Sequence, residues 1–154
     1  MNSDNLKYIG EAVKEANKSG CEQARCGCVI VKDEKIIGKG FNSPPAELES
    51  QRRCSNSKKD FNNKVTDKTC CMHAEQRAII DTLKNNHDLI KEADLYFIRI
   101  DKEGIKIPAG KPYCTICSKM ALDVGIKNFI LFHKQGIRFY DAQEYNDLSF
   151  GFKD

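Results

Sequence analysis

Two short segments constrain this 154-residue chain more than anything else in it. The first is Cys70-Cys71-Met72-His73-Ala74-Glu75, the second Pro112-Tyr113-Cys114-Thr115-Ile116-Cys117. Forty residues lie between His73 and Cys114, yet each segment opens a predicted helix. Cys114 and Cys117 have the C-x-x-C spacing that lets two sulfurs reach one ion, and a helix N-terminus favours thiolate over thiol. A neutral His73 nitrogen would complete a set of two sulfurs and one nitrogen. That set suits zinc, and three protein ligands leave a fourth position for water, as in catalytic sites. Zinc lowers the pKa of a bound water to about 7. Glu75, two residues beyond His73, could then move protons. Any fold that uses these residues together has to bring two helix starts to one point.

Each residue also has a bland role. His73 could cap a helix or sit in the core, Cys114 and Cys117 could be small buried apolar groups, and Glu75 could complement a helix dipole. C-x-x-C also occurs in redox pairs and structural zinc sites. Pro112 ahead of the pair, and the lack of a strand-then-C-x-x-C opening near the N-terminus, weigh against a thioredoxin-like pair. The ordered combination of H-x-E and C-x-x-C, each at a helix start, is what points to metal chemistry.

Around these segments the pattern reads as alternating helices and strands. Leu6, Ile9, Val13 and Ala16 recur at helical spacing over residues 4–18, with Gly20 as a stop. Cys28 to Val31, a turn at Lys32-Asp33-Glu34, and Lys35 to Phe41 read as a hairpin. Residues 73–86 are predicted as a helix, Leu95 to Ile100 as a strand and 115–124 as a helix with Ile116, Met120 and Val124 at fours. Gly125 stops that helix, and Asn128 to Phe132 follows as a strand. The order implies a mixed sheet, parallel where helices cross over, with helices on both faces.

The length fits one domain spanning 1–154. Residues 42–72 break the pattern: Pro44, Pro45, Arg52, Arg53, Lys58 and Lys59 mark a polar insertion. A loop this long inside a domain is either functional or a solvated excursion. Basic side chains number 25 and acidic ones 22, a net +3 that is compatible with an anionic small molecule and too weak to argue for nucleic acid. No apolar run nears the ~18 residues of a membrane helix. The first residues lack the pattern of an export signal, so a cytoplasmic, reducing setting is expected. There the eight cysteines read as metal ligands or catalytic groups before disulfides.

The chain resembles the cytidine/deoxycytidylate deaminase superfamily. The likeness is carried, in order, by Cys28-Val29-Ile30-Val31, Gly40-Phe41-Asn42, His73 to Ile79 and Cys114 to Leu122, over roughly residues 21–132. An H-x-E segment followed by P-C-x-x-C is the signature of zinc nucleobase deaminases; here Tyr113 stands between the proline and the first cysteine. Histidine at position 73 and Gly-Phe-Asn ahead of a long loop are most like the deoxycytidylate deaminase branch. The resemblance implies a three-layer α/β/α sandwich and hydrolytic deamination of a cytosine nucleotide or nucleoside, dCMP-like, with release of ammonia. It implies zinc on His73, Cys114 and Cys117, with Glu75 as proton shuttle. Asn42 would contact the sugar, and the Ala74 backbone N–H would face the base.

Two alternatives stay open: deamination of another base (guanine or adenine, free or in RNA), and a zinc-binding module without turnover. Some deoxycytidylate deaminases carry a second, structural zinc near this insertion. Cys54, Cys70 and Cys71 are the candidate ligands, with Cys26 or His87 as a fourth, while Cys21, Cys26 and Cys28 otherwise pack near the sheet. His133 reads as an edge residue. The aromatic tail 134–154 reads as core or interface, with Tyr140 or Tyr145 able to stack on a base if it closes over the pocket. A homo-oligomer is expected from the resemblance.

Overall fold

The computed structural model describes residues 3–153, which form four α-helices and one six-stranded sheet. Helix α1 spans Ser3–Ala16, and strands β1 (Arg25–Lys32) and β2 (Lys35–Phe41) make the expected hairpin. Its turn places Asp33 and Glu34 at positive φ (49° and 65°), the hand that matches the twist of paired strands. Helix α2 runs Ala74–Asn86, β3 Asp94–Ile100, β4 Lys106–Ile107, α3 Thr115–Val124 and β5 Asn128–His133. Strand β6 (Gly136–Asp141) and helix α4 (Ala142–Phe150) occupy the tail.

The strand order is β2-β1-β3-β5-β6, with β4 paired to the end of β3. Only β3 and β5 are parallel, and α3 is carried on the crossover between them. The other neighbours are antiparallel. The sheet is therefore mixed, as the element order predicted.

Alternation along the strands divides the core in two. Val29, Val31, Tyr96, Ile98 and Ile130 face α1, meeting Tyr8, Ile9, Ala12 and Ala16. Cys28, Ile30, Leu95, Phe129 and Leu131 face the opposite layer, where α2, α3 and α4 supply Ala78, Ile79, Ala121 and Tyr145. This is the three-layer α/β/α sandwich. Period-2 alternation sends neighbouring residues of one strand into different layers.

Two helices turn differently from their apolar stripes. Leu6 of the α1 stripe is half exposed, and Tyr8 takes the inner position. In α3 the expected line holds in part: Met120 and Val124 are half-buried against the core, but Ile116 turns outward. Ile116 is 53% exposed, while Cys117, Ser118 and Ala121 point inward. Small residues let α3 sit close to its neighbours, and Ile116 and Leu122 are left outside. Gly125 ends α3 at φ 88°, the left-handed conformation that glycine adopts without steric cost.

The insertion at 42–72 is irregular but structured, with short 3₁₀ turns at Pro45–Glu47, Glu49–Gln51 and Lys58–Asp60. A bridge between Ser43 and Met72 closes its base. Among the described residues no helix is long and apolar enough to cross a membrane.

Candidate active site and metal centre

Helix α2 begins where the sequence places His73. His73 is the N-cap residue in extended conformation (ψ 149°), and its N–H donates to Gln76 Oε1 at 3.0 Å. The position of α2 is set by Gly40. A Cβ there would lie 2.5 Å from the Ala74 carbonyl oxygen and 2.6 Å from the Ala78 nitrogen, so only glycine lets the helix rest on β2. Cys114 is likewise the N-cap of α3. The two helix starts meet as the sequence required.

His73 Nδ1 lies 3.2 Å from Cys117 Sγ and 3.4 Å from Cys114 Sγ, and the two sulfurs are 3.5 Å apart. The sulfurs are free thiols, not a disulfide. Bond lengths of about 2.3 Å for Zn–S and about 2.05 Å for Zn–N, at tetrahedral angles, put S···S near ~3.8 Å and N···S near ~3.6 Å. The three atoms thus stand within a few tenths of an ångström of the spacing zinc demands. Hydrogen bonds from Cys117 and His73 pull the Cys114 thiol down to about 4, against the opposing effect of burial. It is therefore held as a thiolate, the form that binds metal.

Glu75 sits in the first turn of α2 and is buried, 6% exposed. Burial, seconded by the Cys114 charge, raises its carboxyl above the usual carboxylate range, although its hydrogen bond with Cys117 opposes this. A carboxyl of that kind beside a metal-ligating thiol can hold a proton and give it up. Ala74 is fully buried at the first position of α2, where the helix geometry leaves its N–H without an intrahelical acceptor.

Asn42 follows β2 and ties the edge of the site together. Its Oδ1 accepts from the Cys26 N–H at 2.9 Å, and its Nδ2 donates to the Ala24 carbonyl at 2.7 Å. One amide hydrogen and one lone pair remain for a ligand. Beside the site, at the carboxyl ends of β3 and β5, lies a cavity of about 150 Å³. Cys26, Phe97, Tyr113 and Tyr145 line it, and Arg99 and Lys111 bring positive charge to it. Open α/β sheets bind ligands at such strand ends. Burial next to Glu75 pushes the Cys26 thiol up to about 12, so it faces the cavity as a neutral group.

A second sulfur cluster forms at the insertion. Cys21 and Cys54 approach to 3.9 Å, Cys54 and Cys70 to 3.6 Å, and Cys70 and Cys71 to 3.7 Å. These too are free thiols at the ~3.8 Å spacing of sulfurs that share zinc. Cys21, Cys54 and Cys71 are mutually close enough to hold one ion. Of the three expected residues, Cys54 and Cys71 fall in that group together with Cys21, while Cys70 lies against Cys54 and Cys71 but outside the mutually close group. Cys26 lies on β1 instead, and His87 is exposed and paired with Asp88 at 2.6 Å. Cys21 sits in an irregular segment after α1, with no spacing pattern to link it to Cys54.

Sequence reasoning left the tail undivided. Asp141 caps α4, accepting from the Gln143 and Glu144 N–H groups. The Asp-x-x-Glu spacing at 141–144 is the signal that marks such a start. Tyr140 and Tyr145 are buried rather than laid over the pocket as free stacking platforms. Tyr145 stacks on Phe129 at 3.9 Å, and the Tyr140 hydroxyl bonds His133 Nε2 at 2.7 Å. His133 also meets the Ala109 carbonyl through Nδ1, so it is a structural bridge.

Comparison with known proteins agrees with this geometry. Residues 2–133 match the cytidine and deoxycytidylate deaminase zinc-binding region. The chain is similar to a deoxycytidylate deaminase of Mycobacterium phage D29, 27% identical over 129 residues, or 80% of this chain and 89% of that protein. Its fold is similar to that of the dCMP deaminase from cyanophage S-TIM5 solved with dCMP and dUMP. That likeness has a TM-score of 0.60 at 22% identity, over 84% of this chain and 80% of the other. It is also similar to the cytidine deaminase from Burkholderia pseudomallei, with a TM-score of 0.56 at 17% identity, over 91% and 94% of the two chains. With two helix starts joined at a zinc-spaced trio and a match that runs through both of them, the chain belongs to the zinc-binding cytidine and deoxycytidylate deaminase family.

Proposed function

We propose that the protein is a hydrolytic deaminase of a cytosine nucleotide, with dCMP as its substrate. The observation that carries this reading is the meeting of His73 Nδ1, Cys114 Sγ and Cys117 Sγ beside the buried Glu75. Zinc, when bound by these three residues, supplies Lewis acidity and a water of lowered pKa. Glu75 accepts a proton from the attacking water and passes it to ring nitrogen N3. A second transfer through Glu75 goes to the exocyclic amine, which leaves as ammonia while a carbonyl forms at C4. The Ala74 N–H and the remaining valences of Asn42 orient the base and sugar. Arg99 and Lys111 at the cavity support a nucleotide over a free nucleoside, since each can meet a phosphate.

The phage relatives support the same choice, because the D29 protein is named a deoxycytidylate deaminase and the S-TIM5 structure holds dCMP and dUMP. The test is ammonia release across dCMP, cytidine, deoxycytidine, cytosine, guanine and adenosine. Turnover of dCMP above the others is expected, and turnover of a purine alone would replace this reading.

The insertion cluster is read as a second, structural metal site held by Cys21, Cys54 and Cys71, with Cys70 as the fourth ligand. Four sulfurs make a closed tetrahedral set with no position left for water. The family likeness and the exposed Tyr113, Ile116, Phe150 and Phe152 support a homo-oligomer, measurable by light scattering. Eight free thiols support a reducing, cytoplasmic setting.

A further inference from the structure

Tyr145 is a buried residue of α4 whose hydroxyl has no hydrogen-bond partner among the described residues, although its ring is firmly packed. The ring stacks on Phe129 with centroids 3.9 Å apart and planes at 16°, and Tyr140 meets it edge-on at 6.1 Å. The residue is only 6% exposed. Its hydroxyl is not one of the fully enclosed, unpartnered side-chain atoms among the described residues, which are Arg77 Nε and Ser149 Oγ, so it opens onto space that a ligand can reach. The hydroxyl is not sealed in the core, because Tyr145 lines the 150 Å³ cavity beside the metal trio. That volume holds on the order of five waters, the scale of one six-membered ring with its substituents. Most of the cavity's other walls, including Phe97, Leu131 and Phe132, are apolar, and the polar side chains besides Tyr145 are Cys26, Arg99, Lys111 and Tyr113. A planar ring lying there would meet few hydrogen-bonding side chains besides this one.

The cavity also has the correct neighbours. Burial first, then the nearby Glu75, Cys117, Cys114 and Tyr113, raises the Tyr145 hydroxyl above its ordinary value. As a neutral phenol it keeps an O–H to donate. Arg99 and Lys111 are the cationic groups of the cavity, better suited to a phosphate than Tyr145 is. Building on the deaminase reading, we propose that the Tyr145 hydroxyl is a substrate-recognition group, donating a hydrogen bond to the ring carbonyl of a pyrimidine seated between Tyr145 and the metal trio. The C4 edge of the base has to face Glu75 and the metal for reaction, and C2 carries the ring's remaining carbonyl acceptor.

Tyr145→Phe removes the hydroxyl and keeps the stack on Phe129. Two measurements decide the matter. The first is kcat/KM for dCMP, with melting temperature and zinc content recorded on the same samples. The second is calorimetric binding of dCMP to Glu75→Ala and to Glu75→Ala/Tyr145→Phe, which needs no turnover. The expected result is a roughly tenfold fall in kcat/KM, a similar fall in affinity, and unchanged melting temperature and zinc. A tyrosine with a purely structural role would shift the melting temperature instead. Wild-type turnover of dCMP with no change in Tyr145→Phe would overturn this assignment and leave the deaminase reading intact. Absence of both turnover by the wild type and binding by Glu75→Ala would overturn the deaminase reading and this assignment with it.

Discussion

Two groups of sulfurs come within metal-sharing distance, and they rest on different supports. His73, Cys114 and Cys117 hang from the N-termini of α2 and α3, both packed on the sheet. Cys21, Cys54, Cys70 and Cys71 come from irregular chain around the insertion, and all four are partly exposed. The first group has three ligands, a buried carboxylate and an adjoining cavity. The second has four sulfurs and an arginine, Arg52, which reaches Cys54 Sγ at 3.6 Å. Three ligands at helix starts leave room for chemistry, whereas sulfurs on a loop, in the reading proposed above, would act as a staple. The spacing of sulfurs is the same in both, so the difference in role comes from what stands around them.

The largest test of that contrast removes a ligand from the helix site. His73→Ala should lose one zinc per chain and at least 10³-fold in dCMP turnover, read by metal analysis and ammonia release. Next in size, Cys54→Ser should lose the other metal and lower the melting temperature, with the turnover of the remaining folded enzyme within a fewfold of wild type. A loss of turnover as large as that of His73→Ala, at full folding, would erase the distinction between the two groups.

Smaller changes probe the supports. Gly40→Ala forces a Cβ against the backbone of α2, and it should cost on the order of 1–3 kcal/mol by overpacking. Because α2 carries His73 and Glu75, turnover should fall with it, as denaturant melts and assays on the same sample would show. The smallest effect is expected at Gly125, which ends α3 on the side away from Cys114. Gly125→Ala should cost about 1 kcal/mol for the left-handed conformation and leave zinc content and turnover unchanged.

The helix site was legible in the sequence because its residues keep fixed local spacings, two from His73 to Glu75 and three from Cys114 to Cys117, each at a helix start. The hairpin, α2, β3, α3 and β5 were legible from apolar periodicity and from stops such as Gly125. Cys21 was not, because its link to Cys54 is made only by the path of the insertion over α1's exit. Nor was the deepest face of α3, where Cys117, Ser118 and Ala121 lie inside the half-buried Met120 and Val124 and leave Ile116 outside. Tyr145 was legible only as a stacking candidate, because a short strand and a short helix in an aromatic tail give little periodicity, and its place at the cavity is set by the sheet order.

The most direct test of the central claim is zinc content and ammonia release from dCMP measured together on the wild type and on Glu75→Gln. The variant keeps the size of the side chain and cannot carry the proton. Full zinc in both proteins, with turnover in the wild type and a loss of at least 10³-fold in the variant, is the predicted result. Turnover that survives the substitution, or a zinc-loaded wild type that releases no ammonia from dCMP, would contradict it.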